Sequence, residues 1–129
     1  MKMIELALLA AGGVLGVFLR YGITKSPILF GALPVNVLIV NILGSFILGA
    51  FAVLSQQWNL DQKYAMFVAI GFCGGLTTMS SFALEASNLM DNKQYLLVGL
   101  SIITNVGLSL GAILGGKALT GAMLEGGLK

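Results

Sequence analysis

Three long stretches without a charged residue constrain this chain more than any other feature. They cover residues 26–60, 64–84 and 94–116. Each exceeds the roughly 18 uncharged, largely apolar residues that indicate a membrane-spanning helix. Charged residues make up only 9 % of the 129 residues, against about 25 % in an average soluble domain. The composition therefore excludes a soluble enzyme and predicts an integral membrane protein.

The residue types present exclude several kinds of site. The chain has no His, and its only Cys is Cys73, so neither an intrachain disulfide nor a Cys/His metal site can form. A net charge of +2, spread thinly along the chain, provides no basic patch for nucleic acid. We therefore expect no enzymatic activity and no nucleic-acid partner.

The apolar pattern predicts an all-α membrane protein in which residues 1–129 form a single four-helix transmembrane domain. The predicted spans cover about 3–20, 33–55, 64–87 and 95–119. The first apolar run is interpreted as a spanning helix rather than a signal peptide, because no small-residue cleavage site leads into a polar domain. Pro34 suits the first turn of the second helix, where its missing N–H costs nothing. The expected location is the cell (inner or plasma) membrane, as a multi-pass protein.

The Lys and Arg residues are divided almost evenly between the two membrane faces. One face would carry Lys2, Lys63, Lys117 and Lys129, and the other Arg20, Lys25 and Lys93. Membrane proteins normally keep the excess of Lys and Arg on the cytoplasmic side. The near-even count favours insertion in both orientations, so that two copies pair antiparallel. A weakly oriented protein guided by other signals is the alternative.

Small residues in the predicted helices favour an oligomer. Gly12 and Gly16 form one GxxxG pair, and Gly107, Gly111 and Gly115 form a longer stripe. Such residues let helix backbones approach closely in a bilayer. A single four-helix bundle also has too little material to surround a solute path. We therefore expect a tightly packed multimer.

The third predicted span contains the densest set of unusual residues. Residues 71–82 read GFCGGLTTMSSF, with Glu85 close behind. Glycine costs about 1 kcal/mol relative to alanine inside a helix, so this composition predicts a break in the helix at mid-membrane. Carbonyl groups freed by such a break normally line a cavity or an ion site, and here they would suit a monovalent cation. The alternative is an unbroken, glycine-packed helix with Ser and Thr hydroxyls bonded to their own backbone.

Polar side chains share faces on three of the predicted helices. Thr78, Phe82 and Glu85 lie on one face of the third, Asn41 and Ser45 on one face of the second, and Ser101, Asn105 and Ser109 on one face of the fourth. None of the predicted mid-membrane positions is ionisable, although coupled transporters usually need such groups there. Amide and hydroxyl donors with an aromatic ring edge instead suit a small, dehydrated anion. These faces therefore predict passive conduction.

These motifs resemble those of the CrcB/Fluc family of fluoride channels. The third-span residues quoted above resemble the family's third-helix motif, residues 40–46 (VNILGSF) its second-helix motif, and residues 16–20 the end of its first helix. The resemblance implies a channel through which cytoplasmic fluoride leaks out passively, lowering fluoride toxicity. It also implies an antiparallel, dual-topology homodimer in membrane lipid, with two pores and a structural sodium ion at the dimer centre.

The resemblance assigns roles to individual positions. Gly74 and Thr77 match backbone carbonyl donors to sodium, and Arg20 matches a vestibule arginine. The matching pore positions are Asn41, Thr78, Met79, Ser81, Phe82, Glu85, Ser101, Asn105 and Ser109. Met79 departs from the family, which usually has a phenylalanine there. Methionine is flexible and polarizable and can fill the same space, or it can weaken the pore or mark one member of a heterodimer with a related chain.

Two other functions compete with the fluoride channel. A small multidrug transporter also uses four helices in a dual-topology dimer, but that class relies on an acidic residue within its first span. Here Glu5 lies near the start of that span, which disfavours this alternative. A non-conducting subunit or helper protein is the third hypothesis. It is based on Met79, which stands where the family usually has a phenylalanine.

Overall fold

A computed structural model describes residues 2–127 of the chain. Within them, four helical segments are long and apolar enough to cross a membrane: Met3–Thr24, Asn36–Gln57, Gln62–Asp91 and Tyr95–Gly126. The prediction of a mostly helical membrane protein with four such helices is confirmed. Lys129, one of the charges counted above, lies outside the described residues.

The first two helices are joined by a short β-hairpin. Helix α1 covers Met3–Thr24 and helix α2 covers Asn36–Gln57. Between them, β1 (Leu29–Phe30) pairs antiparallel with β2 (Leu33–Pro34). The prediction that Pro34 starts the second helix is wrong, because Pro34 lies in β2 and α2 begins two residues later. A proline lacks the N–H that a second neighbouring strand would need, so an edge strand tolerates it.

The third segment, Gln62–Asp91, contains four helical pieces. Helix α3 (Gln62–Ala65) is followed by a π-helix over Met66–Cys73 and by α4 (Gly74–Leu76). Thr77 and Thr78 then adopt extended backbone conformations, with ψ of 155° and 124°. Helix α5 (Met79–Asp91) completes the segment. The backbone thus leaves the helical conformation at the two threonines and stays helical through Gly71, Gly74 and Gly75.

Glycine allows α1 to lie directly against the backbone of the third segment. A Cβ atom added at Gly12 would overlap the Phe67 carbonyl oxygen, and one added at Gly16 would overlap that of Phe72. Only glycine fits at such a close approach of two backbones. The Gly12/Gly16 pair therefore packs within one chain.

The fourth segment is a single long helix. Helix α6 covers Tyr95–Gly127 and packs mainly on α2. Gly49 and Gly116 bring these two helices together, each lying against the partner helix's backbone. The stripe of Gly107, Gly111 and Gly115 is different. Among the described residues, nothing lies within 4 Å of a Cβ built at any of the three, so this face of α6 is uncovered in the protomer.

Candidate functional site

A cavity of about 460 Å³ opens between α2, the third segment and α6. The extended backbone at Thr77 and Thr78 forms part of its wall, together with side chains from both neighbouring helices. The lining residues are Asn41, Gly44, Ser45, Leu48, Ala69, Cys73, Gly74, Thr77, Thr78, Met79, Phe82, Asn105, Val106 and Ser109. These side chains are polar or apolar, and none is acidic or basic. The cavity can therefore offer hydrogen-bond donors without bringing a charge of its own.

Asn41 holds the extended backbone in place from α2. Its Oδ1 accepts a hydrogen bond from the Thr78 N–H at 2.8 Å, and its Nδ2 donates to the Thr78 carbonyl oxygen at 3.2 Å. The same Nδ2 donates to Asn105 Oδ1 on α6 at 3.1 Å. Asn41 thus supplies the acceptor that the Thr78 N–H loses outside a helix, and it adds a donor to the Thr78 carbonyl oxygen.

Asn105 extends this network into α6. Its Nδ2 donates to the Ser101 carbonyl oxygen at 3.0 Å, and only 8 % of the residue is exposed. The oxygen of its amide is thereby oriented toward Asn41. Asn105 is buried and Asn41 partly buried, and both amides have hydrogen-bond partners, as expected where little water competes.

Several carbonyl oxygens lose their helical N–H donors where the helix stops, and within residues 2–127 those of Gly74 and Thr77 are among the ones that gain no replacement. In a continuous helix the Gly74 carbonyl would accept from the Thr78 N–H, which donates instead to Asn41. The Thr77 carbonyl would accept from the Ser81 N–H, which donates instead to Thr78 Oγ1 at 3.2 Å. The Thr77 hydroxyl is also occupied, since it donates to the Cys73 carbonyl oxygen at 2.8 Å. Gly74 and Thr77 therefore each present a free carbonyl oxygen rather than a side chain.

Arg20 reaches the same region from α1. Its Nε donates to the Gly75 carbonyl oxygen at 2.9 Å. In a continuous helix that carbonyl would accept from the N–H of Met79, the first residue of α5. The half-buried Arg20 thus satisfies a third acceptor next to the interruption.

Thr78 also starts the helix that carries the aromatic side of the cavity. Its side chain caps α5, since a Thr hydroxyl at this position accepts from an N–H of the first turn. Met79 and Phe82 follow on the first turn of α5 and both line the cavity. Met79 is also 70 % exposed in the protomer, so a large part of its side chain lies outside the cavity.

Ser109 has a buried hydroxyl that makes no hydrogen bond to the described residues, 2–127. Buried hydroxyl groups without a partner are uncommon and costly. The Ser109 hydroxyl is therefore available to a bound species in a way that the Asn41 and Asn105 amides are not.

The similarity of this chain to known proteins extends over the helices that form the cavity. A family model described as "CrcB-like protein, Camphor Resistance (CrcB)" matches residues 7–117. The chain belongs to this CrcB-like family. The match begins in α1 and ends in the second half of α6, whereas α6 itself continues to Gly127. It therefore includes all the cavity-lining residues.

Curated relatives are similar over nearly their whole length. A protein of Nitrosopumilus maritimus named "Fluoride-specific ion channel FluC" is 63 % identical over 125 residues, which is 97 % of this chain and 99 % of the relative. Proteins of the same name from Methanococcus maripaludis and Rhizobium etli (strain CIAT 652) are 40 % and 36 % identical. Their alignments cover 88 % and 94 % of this chain, and 93 % and 99 % of the relatives.

The structure brings most of the predicted site residues of this CrcB-like chain together. Among the predicted pore positions, the cavity is lined by Asn41, Thr78, Met79, Phe82, Asn105 and Ser109, and Gly74 and Thr77 also reach it. Ser81, Glu85 and Ser101 do not line it. Ser101 is buried one helical turn before Asn105 and contributes its carbonyl oxygen. Ser81 contributes its backbone N–H to the cap of α5.

Several cavity residues carried no functional prediction. Gly44 and Leu48 lie three and seven residues after Asn41, so helical spacing alone could have placed them beside it, as it did place Ser45. Ala69 and Cys73 reach the cavity from the π-helix. A π-helix turns its side chains differently from an α-helix, and no sequence pattern indicated one here.

Proposed function

We propose that this member of the CrcB-like family is a fluoride-selective channel that lets cytoplasmic fluoride leave passively and so lowers its toxicity. The observation that carries the proposal is the near full-length similarity to relatives named fluoride-specific ion channels. The chemistry of the cavity agrees with it. Its lining offers amide, hydroxyl and aromatic groups but no acidic or basic side chain, which suits conduction better than proton-coupled exchange.

Within this proposal, Ser109 and Phe82 are the groups that meet the ion. The free hydroxyl of Ser109 can donate to fluoride, and the positive edge of the Phe82 ring can face it. Asn41, Thr78, Met79 and Asn105 complete the pore wall, with Ser81, Ser101 and Glu85 beyond the cavity. Arg20 provides positive charge at a vestibule and draws anions toward the pore.

The conducting unit in this proposal is an antiparallel dimer in the cell membrane, with one pore per protomer. The nearly equal numbers of Lys and Arg at the two ends of the spans support both insertion directions. The uncovered glycine face of α6 leaves room for close contact with another helix. The interruption at Thr77 and Thr78 then lies at mid-membrane, where free carbonyl groups need a partner.

A sodium ion at the dimer centre would provide that partner. Gly74 and Thr77 each release a carbonyl oxygen, and two copies related by a two-fold axis would present four. Carbonyl oxygens are suitable donors for a hard cation, and no carboxylate is needed for a single positive charge. The ion would satisfy the free carbonyls, join the protomers and offset the repulsion between anions in the two pores.

Fluoride efflux from liposomes tests the channel. Purified protein is reconstituted in vesicles loaded with either fluoride or chloride, without ATP or a pH gradient, and efflux is followed with ion-selective electrodes. We expect fluoride to leave far faster than chloride, and empty vesicles give the background. Fluoride movement that requires proton exchange would contradict the channel, and no movement at all would favour a non-conducting subunit.

Labelling at two loops tests the orientation. Gln57→Cys and Lys93→Cys lie at opposite ends of the spans, and the native Cys73 is buried. In a dual-topology homodimer, a membrane-impermeant thiol reagent should label about half of each variant from either side. Complete labelling of one variant from outside, and of the other only after lysis, would contradict dual topology.

A further inference from the structure

The hairpin between α1 and α2 displays apolar side chains on a rigid support. Ile28, Leu29 and Phe30 are 47 %, 59 % and 81 % exposed. The turn is tight, because Gly31 has a φ of +64° that favours glycine. On the second strand, Leu33 is buried. The hairpin therefore holds one strand against the protein and leaves the other uncovered.

Asn36 fixes the hairpin to the end of α1. Its Oδ1 accepts from the Ile28 N–H at 2.7 Å, and its Nδ2 donates to the carbonyl oxygens of Ile23 at 2.8 Å and Ser26 at 2.7 Å. Only 4 % of Asn36 is exposed. A backbone hydrogen bond, from the Val35 N–H to the Ile28 carbonyl oxygen at 3.0 Å, closes the base of the hairpin. The exposed strand is thus held in place by a buried network.

Helix length places this hairpin at a membrane surface. Helices α1 and α2 each contain 22 residues, or about 33 Å at 1.5 Å per residue. The hydrocarbon core of a bilayer is about 30 Å thick. Both helices therefore cross the core once, and the hairpin that joins them lies in the headgroup region.

Other residues at this end have the composition of a membrane interface. Tyr21 near the end of α1 is 67 % exposed, and Tyr95 at the start of α6 is 64 % exposed. Lys25 lies between α1 and the hairpin and is also exposed. Aromatic side chains are enriched at the boundary between headgroups and acyl chains, and lysine suits the phosphate groups beside it.

We propose that residues 28–34 form a rigid interfacial anchor that inserts Leu29 and Phe30 at the boundary between headgroups and acyl chains. The occupant of this surface is phospholipid. The rigid base means that the side chains need little ordering when they insert, which reduces the entropic cost of binding. The anchor would fix the ends of α1 and α2 at one depth. This inference does not rest on the channel function.

Tryptophan fluorescence in lipid vesicles tests the anchor. Trp58 is the only Trp in the chain, so Trp58→Phe combined with Phe30→Trp gives a single probe in the full-length protein. Vesicles contain phosphatidylcholine, with or without bromine atoms on carbons 6 and 7 of one acyl chain. We expect the brominated lipid to reduce the emission by about half, as for side chains in the interfacial belt, and aqueous acrylamide to have little effect.

A second variant tests the rigid base. In the same single-Trp protein, Asn36→Ala removes all three hydrogen bonds of its side chain, and we expect weaker bromine quenching and stronger acrylamide quenching. The wild-type protein, with Trp58 at the opposite end of the spans, is the matched comparison. Strong acrylamide quenching without bromine quenching at position 30 would place the hairpin in water and overturn the proposal. Protection from both quenchers would also overturn it, because a second protein chain would then cover Phe30.

Discussion

The two halves of the third segment are held by different contacts. Residues 62–76 lie with their backbone against α1, at the contacts made by Gly12 and Gly16. Helix α5 contacts chiefly α6 and leaves Met79 and Leu84 70 % and 63 % exposed. Between the halves, Thr78 is held by the side chain of Asn41. One half is thus positioned by backbone contact and the other by side-chain hydrogen bonds.

This difference separates the requirements of folding from those of the cavity. A backbone contact has no space for an added atom, so changes at the contact between α1 and the first half should destabilise the fold. The cavity side depends on individual hydrogen bonds and on one ring, so changes there should alter ion flux in a folded protein. The following predictions test that separation, from the largest effect to the smallest.

Gly16→Ala should have the largest effect. The new methyl group would overlap the Phe72 carbonyl oxygen, and overpacking of this kind costs roughly 1–3 kcal/mol or more. Gly22→Ala, in the same helix, is the matched control because nothing lies within 4 Å of its Cβ. We expect it to stabilise α1 by about 0.5–1 kcal/mol. Thermal unfolding in detergent measures both, and equal stability of the two variants would contradict the backbone contact.

Asn41→Leu should have the second-largest effect. Leucine has a similar volume but leaves the Thr78 N–H without its partner, at a cost of about 1–3 kcal/mol, and it removes one donor to the Thr78 carbonyl oxygen. We expect slow fluoride flux in a folded but less stable protein. Asn105→Leu removes the bond to Asn41 and the bond to the Ser101 carbonyl oxygen, but it leaves Thr78 bonded to Asn41. Its effect should therefore be smaller and non-additive with Asn41→Leu, which a double-mutant cycle measures. Independent, additive effects would show that Asn105 does not act through Asn41.

Gly74→Ala tests the proposed sodium site. A Cβ at Gly74 has only the Ala69 carbonyl oxygen nearby, at 3.9 Å, so one protomer can accept the methyl group. At a shared ion site it would crowd the second copy. We therefore expect a folded protein with a weaker dimer and slower flux, as after replacement of sodium by a large organic cation. Wild-type flux and assembly in both experiments would contradict the central ion.

Phe82→Ile should reduce fluoride flux and leave the dimer intact. Isoleucine keeps much of the apolar volume but has no positive ring edge. A reduction of about threefold to tenfold corresponds to ring interactions of roughly 0.5–1.5 kcal/mol. Phe46→Ile is a suitable control, because Phe46 lies on α2 and does not line the cavity. Liposome efflux measures both, and equal flux would mean that Phe82 only packs.

Thr77→Ser should have the smallest effect. Serine keeps the hydroxyl that donates to the Cys73 carbonyl oxygen and loses only the methyl group that lies against Gly44. Loss of one buried methyl costs about 0.8 kcal/mol. We expect slightly lower thermal stability and a flux within about twofold of the wild type. A large loss of flux would give the Thr77 side chain a direct role in the pore.

The fold was predictable wherever hydrophobicity alone decides it. The uncharged stretches predict four helices because a bilayer excludes charge from about 20 consecutive residues. The hairpin was missed because two strands of two residues carry no periodic pattern, and Pro34 suited a helix start equally well. The π-helix was missed because its residues carry no sequence pattern that distinguishes it from an α-helix.

The candidate site was predicted in part. The sequence predicted a break at Gly74 to Thr77, whereas the backbone stays helical through Gly74 and Gly75 and departs at Thr77 and Thr78. Gly71 and Gly75 instead allow close packing on α1. Asn41, Asn105 and Ser109, which lie on the shared faces of α2 and α6, line one cavity. Their hydrogen bonds could not be predicted, because an amide can bind an ion or brace a backbone, and only geometry distinguishes the two.

The π-helix over Met66–Cys73 makes the number of residues in this segment as important as their identity. Deleting one residue there would change the winding and the length of this segment, and so the angle and the height at which everything downstream meets its neighbours. Gly71 and Gly75 would then leave their contacts with α1, and Thr78 would turn away from Asn41. A substitution can be accommodated locally, whereas a change in length alters the orientation of every later residue that lines the cavity.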